Sequence, residues 1–279
     1  MPINLLVAVP PEKTQRYTQN LANADQITLR IATSHKDVHN LLAMRDQPTD
    51  VLAVDNSLGD TYAMISELRQ TYPRLLIVLI DEDADFGLPG KADDLTTTPF
   101  QDDDLVKRVK KLMSARMTET LRSDSLPAIR DFSRALRGAV GLGGKQQAAV
   151  DSAQSLGYDY VGYYHITNKD TLELQLRAQA GPRPIQAVAP KKATSDDLMT
   201  WVVQSRQSRI ANYGDALNHP LVAKGRLGAV AAIPVMFDSR IFGVLVACRD
   251  RPESITQENV MMLELICSQF AAAMIKELN

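Results

Sequence analysis

The residues placed to do chemistry in the first half of this chain stand at the ends of its apolar runs. Those ends read Val9–Pro10–Pro11, Asp55–Asn56, Ile80–Asp81 and Thr98–Pro99. Asp55 and Asp81, with Glu12 a short way along the chain, offer hard oxygens of the kind that hold a divalent cation. The second half offers a different set. Tyr160, Tyr163, Tyr164, Trp201, Tyr213 and His219 are aromatic or hydrogen-bonding side chains suited to lining a small-molecule pocket. Cys248 and Cys267 are the only cysteines, and each lies in an apolar run. That excludes a disulfide framework or a Cys-rich metal centre and points to a reducing compartment. No catalytic residue, no metal and no cofactor is expected.

The elements that position these residues alternate between strand and helix through residues 1–121. Residues 4–9 (NLLVAV), 26–31 (QITLRI), 50–54 (DVLAV), 75–80 (LLIVLI) and 94–97 read as five strands. Residues 12–22, 34–44 and 61–71 read as helices, the last with Met64, Ile65 and Leu68 on one face. This alternation predicts an α/β fold with a doubly wound, five-stranded parallel sheet. Its site lies beyond the carboxyl ends of the strands.

The segments DVLAVDNSLGD, LLIVLI and KADDLTTTPFQDDDLVKRVKKL resemble the receiver domain of two-component response regulators. The resemblance places Asp55 where that family accepts a phosphoryl group. It also places Val9 and Pro10 at the acidic pair that holds Mg²⁺, Ile80 at the Thr or Ser of the fourth strand, and Thr98 at the Lys before the fifth-strand proline. Phosphoryl transfer to a carboxylate rests on positioning and on neutralising the equatorial oxygens with a metal and a lysine. Asp55 is therefore expected to lack both metal and counter-charge. The implied unit is a degenerate pseudo-receiver that contacts a protein through its fourth and fifth elements.

A helical linker is expected next. Asp102, Asp103 and Asp104 ahead of Lys107, Arg108, Lys110 and Lys111 match the dipole of a helix starting there. Val106, Val109, Met113, Met117 and Leu121 form its apolar stripe. Residues 123–125 interrupt it, and a second helix restarts with Ser125 as N-cap and Pro127 in the first turn. That helix carries Ile129, Phe132, Leu136 and Val140 and stops at Gly141 and Gly143–Gly144. Residues 122–144 thus read as linker and first helix of a C-terminal domain over 126–279.

In that domain residues 145–156 read as a helix and 159–167 with 172–179 as a hairpin around Asn168–Lys169–Asp170. A loop with Pro182, Pro184 and Pro190 leads to a helix at 196–204, a short strand at 210–212 and a short helix at 218–224. Strands at 227–237 and 240–248 turn at Asp238–Ser239, and a helix capped by Thr256 and Asn259 closes the chain. This order, and above all AVAAIPVMFDSRIFGVLVACRDRPESITQENVMMLELICSQFAAAM with its Ile233–Pro234–Val235 step and Gly243, resembles a GAF domain: an α+β fold on an antiparallel sheet. The resemblance implies an unidentified small-molecule ligand in a pocket lined by Tyr160, Tyr163, Tyr164, Trp201, Tyr213 and His219. It does not extend to a bilin cysteine, to the several pocket cysteines of the methionine-sulfoxide-reducing members, or to the Asn-Lys/Phe/Asp-Glu set of the cyclic-nucleotide group. His165 and His219 are the haem-ligand candidates, and an ordinary hydrogen-bonded role is the plainer reading of each.

The last helix is apolar on more than one face. A homodimer through Phe132, Leu136, Leu263, Phe270 and Met274 is expected, with packing inside one chain as the alternative. A net charge of −2 without a basic block argues against nucleic acid. The N-terminus lacks a basic region ahead of its apolar run, and no signal peptide or spanning helix is read, so a cytoplasmic location is expected. Together these features predict a non-enzymatic bacterial signalling regulator with a protein partner. The alternatives are a response regulator phosphorylated on Asp55 and a structural dimer with an empty pocket.

Overall fold

The computed structural model describes residues 2–22, 24–44, 47–84, 89–123, 127–168, 172–193, 197–238 and 240–278. The chain forms two compact units, Met1–Arg69 with Leu75–Thr120 and Gln70–Arg74 with Leu121–Asn279.

The N-terminal unit is built on a parallel sheet of β1 (Ile3–Ala8), β2 (Ile27–Ala32), β3 (Val51–Asp55), β4 (Leu76–Ile80) and β5 (Asp94–Thr96). The order is β2-β1-β3-β4-β5, a flavodoxin-like doubly wound arrangement. VLAVD and LIVLI are buried along their whole length, as strands covered on both faces must be. The edges are weaker: β2 is half-exposed and β5 has three residues. Helices α1 (Thr14–Leu21) and α4 (Asp104–Ser123) place Tyr17, Leu21, Leu105 and Val109 against Leu5, Val7, Ala53, Val78 and Ile80. Helices α2 (His35–Leu42) and α3 (Thr61–Thr71) bury Val38, Leu42, Met64, Ile65 and Leu68. Ser34 caps α2 by accepting the Asp37 N–H at 3.1 Å.

The start of α4 differs from the expectation. Asp102 and Asp103 have φ of 52° and 56°, in the left-handed region that Asp tolerates. Only Asp104 enters the first turn, where it accepts from Thr96 and Arg108, both at 2.6 Å. Along the expected stripe Val109 is buried, but Met117 is 65% exposed. The break expected at 123–125 falls largely outside the described residues, which end at Ser123 and resume at Pro127.

The C-terminal unit is an antiparallel sheet of β6 (Tyr160–Asn168), β7 (Glu173–Ala180), β8 (Arg209–Asn212), β9 (Ala229–Phe237) and β10 (Arg240–Arg249), in the order β7-β6-β10-β9-β8. Lys169 and Asp170 of the hairpin turn, and Ser239 of the β9–β10 turn, lie outside the described residues. One face is covered by α5 (Pro127–Gly138), α6 (Gly141–Gln154) and α10 (Gln257–Leu278). The other is covered by α7 (Arg183–Val188), α8 (Leu198–Ser205), α9 (Pro220–Ala223) and their connecting segments.

Three readings of this unit need correction. The glycines expected to end a helix open α6 instead, because burial of Ala149, Val150 and Ala153 overrides the poor helix propensity of its first turn. Val140 consequently precedes α6 and is 91% exposed. The proline-rich loop contains α7, since Pro182 stands at its N-cap and Pro184 in its first turn, where proline loses no bond. Third, Phe132, Leu136, Leu263, Phe270 and Met274 are not available as a dimer interface. All five are at most 5% exposed, within one core under the sheet. Helix α10 is long and apolar enough to cross a membrane, but Val260, Leu263, Ile266, Cys267, Phe270 and Met274 are buried in that same core. The packing inside one chain accounts for its apolar faces. Its start is as expected: the Thr256 N–H donates to Asn259 Oδ1 at 3.0 Å and the Asn259 N–H returns to Thr256 Oγ1 at 3.4 Å.

Gly243 of β10 stands opposite His165 of β6. A Cβ there would lie 2.0 Å from the Tyr164 carbonyl oxygen, a backbone atom that cannot step aside without parting two central strands. Gly243→Ala is therefore expected to cost about 3 kcal/mol or more of stability, read as a lowered urea midpoint of the full chain.

Candidate functional site

In the N-terminal unit the chemistry centres on Asp55, the last residue of β3, whose carboxylate is buried. Both oxygens accept from the Lys13 ammonium at 3.1 Å. Oδ2 also accepts from the Tyr17 hydroxyl at 2.8 Å. Oδ1 accepts from the Ser57 N–H at 2.9 Å and the Ser57 hydroxyl at 2.5 Å. Burial alone would push this carboxyl group up. The donors from Ser57, Tyr17 and Lys13 outweigh burial and hold it below the ordinary carboxylate range.

Lys13 and Tyr17 reach Asp55 together because they are four residues apart at the start of α1, one above the other on a single face. Tyr17 is fixed in turn by Phe100, edge to face at 4.8 Å. The Arg16 guanidinium covers the same ring at 4.7 Å and clamps both oxygens of Glu82 at 2.6 and 2.7 Å. Asn56 donates to Asp81 Oδ2 at 3.0 Å and accepts from Thr61 at 2.6 Å. Asp81 thus meets an amide, and Glu12 is exposed.

The receiver-like positions fall as follows. Val9 and Ile80 are completely buried among apolar neighbours, Pro10 is buried, and Thr98 is exposed. None of the four brings a charge to the site. The expectation that Asp55 lacks a counter-charge is nevertheless wrong, since Lys13 supplies one from the opposite edge of the crevice. Lys13, Tyr17 and Ser57 were not singled out from the sequence. The legible signals were a Lys and a Tyr one helical turn apart after the first strand, and a Ser two residues beyond the Asp. Among the described residues no group of three or more His, Cys, Asp or Glu could hold a metal ion.

In the C-terminal unit strand alternation sorts the tyrosines. Tyr160 and Tyr164 face α8 and α9, whereas Tyr163 faces α10. Tyr163 packs edge to face on Phe270 at 4.9 Å and its hydroxyl meets His165 Nδ1 at 2.9 Å. It does not line the expected pocket, because a period of two sends neighbouring residues to opposite faces. Tyr213 is also displaced from it, on a turn after β8 and 63% exposed. Trp201 is half-buried on α8, with the Arg209 guanidinium 4.9 Å above its ring.

Tyr160, Tyr164 and His219 do come together. All three are completely buried, with Leu198, Met199, Val202, Leu221 and Val222 closing over them. The Tyr164 hydroxyl donates to the Pro190 carbonyl at 2.9 Å and lies 3.4 Å from His219 Nε2. His219 Nδ1 accepts the Leu221 N–H at 3.3 Å, capping α9. Both ring nitrogens are engaged, which favours a structural histidine over an axial ligand. Burial pushes its pKa down to about 3, so the ring is neutral at physiological pH. Cys248 and Cys267 are fully buried and their thiols are pushed up by burial, which suppresses the nucleophilic thiolate.

Residues 146–274 match the family model described as GAF domain. This segment is a GAF domain. Solved structures similar to the chain include the GAF domain of an Acinetobacter phosphoenolpyruvate-protein phosphotransferase, at 18% identity over 55% of this chain and 93% of that one, with a TM-score of 0.44. A free methionine-R-sulfoxide reductase of Neisseria meningitidis in complex with its substrate is 13% identical over 53% and 86%, with a TM-score of 0.46. The chromophore-binding domain of a bacteriophytochrome from R. palustris is 18% identical over 58% and 63%, with a TM-score of 0.45. No curated protein matches the chain.

His219 makes the GAF domain sensitive to acid. The unfolded chain protonates this ring below about pH 6.5 and the folded chain only near 3. Its contribution to stability is thus complete above pH 6.5 and declines as pH falls, by at most about 1.4 kcal/mol per pH unit. His219→Asn keeps an acceptor for the α9 cap but cannot titrate. Urea midpoints measured between pH 7.5 and 5 should fall less steeply for this variant than for the natural chain.

Proposed function

We propose that the chain is a non-enzymatic regulator of bacterial signal transduction. Its N-terminal unit acts as a pseudo-receiver that docks a protein partner, and its GAF domain senses a small ligand or mediates self-association. A GAF domain itself suggests a signalling or ligand-sensing role. The observation that carries the rest is the Asp55 carboxylate, whose oxygens accept from Lys13, Tyr17 and Ser57. A carboxylate held this way is a poor nucleophile toward a phosphoryl donor, and the side chains of Val9 and Pro10 offer no oxygen ligands for a metal. The buried, protonated thiols of Cys248 and Cys267 speak against sulfoxide reduction in the GAF domain.

The test is incubation of the full chain with Mg²⁺ and acetyl phosphate, followed by intact mass. The mass is expected to stay unchanged; stoichiometric phosphorylation that disappears in Asp55→Ala would establish the phosphorylated regulator instead. Native mass spectrometry of freshly purified protein addresses the GAF domain. A small molecule present in the native mass and lost on denaturation is the expected result, whereas an apo mass alone would favour a scaffold with an empty pocket.

A further inference from the structure

The receiver resemblance implies Mg²⁺ beside Asp55, and the residues present do not fit it. The ammonium of Lys13 already spans both carboxylate oxygens at 3.1 Å. The same ammonium lies 4.0 Å from Glu82 Oε2. Carboxylates from two neighbouring strand ends, Asp55 on β3 and Glu82 just beyond β4, therefore flank one cation delivered by the turn before α1. Glu82 is further held by Arg16. A divalent ion on Asp55 would have to displace the ammonium and then bear its repulsion at contact distance.

We propose that Lys13 is a tethered substitute for a divalent cation, neutralising Asp55 permanently and making the N-terminal unit indifferent to free Mg²⁺. A tethered cation is already localised by the helix that carries it, whereas a free ion must shed water and lose translational freedom. Lys13 also brings its donors on a chain segment. It fixes the β1–α1 connection to the end of β3, a tie that a diffusible ion would make only while bound. Lys13 is in this sense a positioning residue with no reaction to catalyse. The inference deepens the pseudo-receiver reading and rests on it, but the two fail separately, because metal uptake and phosphorylation are measured independently.

The experiment is a Mn²⁺ titration of the full chain followed by the electron paramagnetic resonance signal of the free aqueous ion. The natural chain and Lys13→Arg, which keeps the positive charge, should leave that signal unchanged. Lys13→Ala removes the ammonium from between the two carboxylates and should take up one ion per chain, and adding Asp55→Asn should abolish that uptake. Lys13→Gln retains a hydrogen-bond donor to Asp55 and should show the same gain should Lys13→Ala fail to fold. Uptake by the natural chain that is lost in Asp55→Asn would overturn the proposal, as would no uptake by either neutral variant. A loss of folding alone would not produce a stoichiometric, Asp55-dependent gain in binding.

Discussion

A buried carboxylate must be compensated, and the ends of the parallel sheet in this protein are organised around that requirement at Asp55. Placing a charge at the end of a strand that is otherwise Val, Leu and Ala carries a desolvation cost that only close donors offset. Lys13 comes from the turn just before α1, Tyr17 from the first turn of α1, and Ser57 from the turn that follows β3. Each donor ties a connecting segment to the sheet. The arrangement fixes how α1 enters, and with it the seat of Tyr17 against Phe100 and of Arg16 over the same ring. At the crevice that a doubly wound sheet ordinarily offers to a ligand, the Asp55 carboxylate is engaged by the protein's own side chains.

The GAF domain shows the same economy by apolar means. Its sheet buries both faces, one under α5, α6 and α10, the other under α7, α8 and α9. Strand alternation divides adjacent tyrosines between the two. Tyr163 becomes part of the helix-side core with Phe270, and Tyr164 joins His219 on the opposite side. Two of the buried polar groups on that side are paired internally, the Tyr164 hydroxyl with Pro190 and His219 with the backbone of α9. A ligand entering between the sheet and these segments would have to open a packed layer.

Much of this architecture was legible in the sequence. The apolar runs and their spacing marked the strands of both sheets, because strands buried on two faces need unbroken apolar stretches and the hairpin strands need alternation. The cap at Thr256 and Asn259 and the helix at Thr61–Thr71 were legible for equally local reasons. The glycines before Lys145 and the prolines around Arg183 misled, since local propensity signals a break where distant packing or a permissive first turn retains a helix. The stripe of α10 was read correctly as apolar, but a stripe does not say whether its partner is another chain or the same one.

What the sequence determined by itself is therefore the type and order of elements, the presence of Asp55 at a strand end, and the absence of receiver-type ligands at Val9, Pro10, Ile80 and Thr98. Those follow from residue identity and local periodicity. Only the tertiary structure decided that Lys13 and Tyr17 close on Asp55 across 42 and 38 residues, that Phe132, Leu136, Leu263, Phe270 and Met274 meet inside one core, and that Tyr163 and Tyr213 leave the face shared by Tyr160, Tyr164 and His219. Each of these depends on which way a side chain points once strands pair and helices dock. That direction is set by the register and packing of segments far apart in the chain.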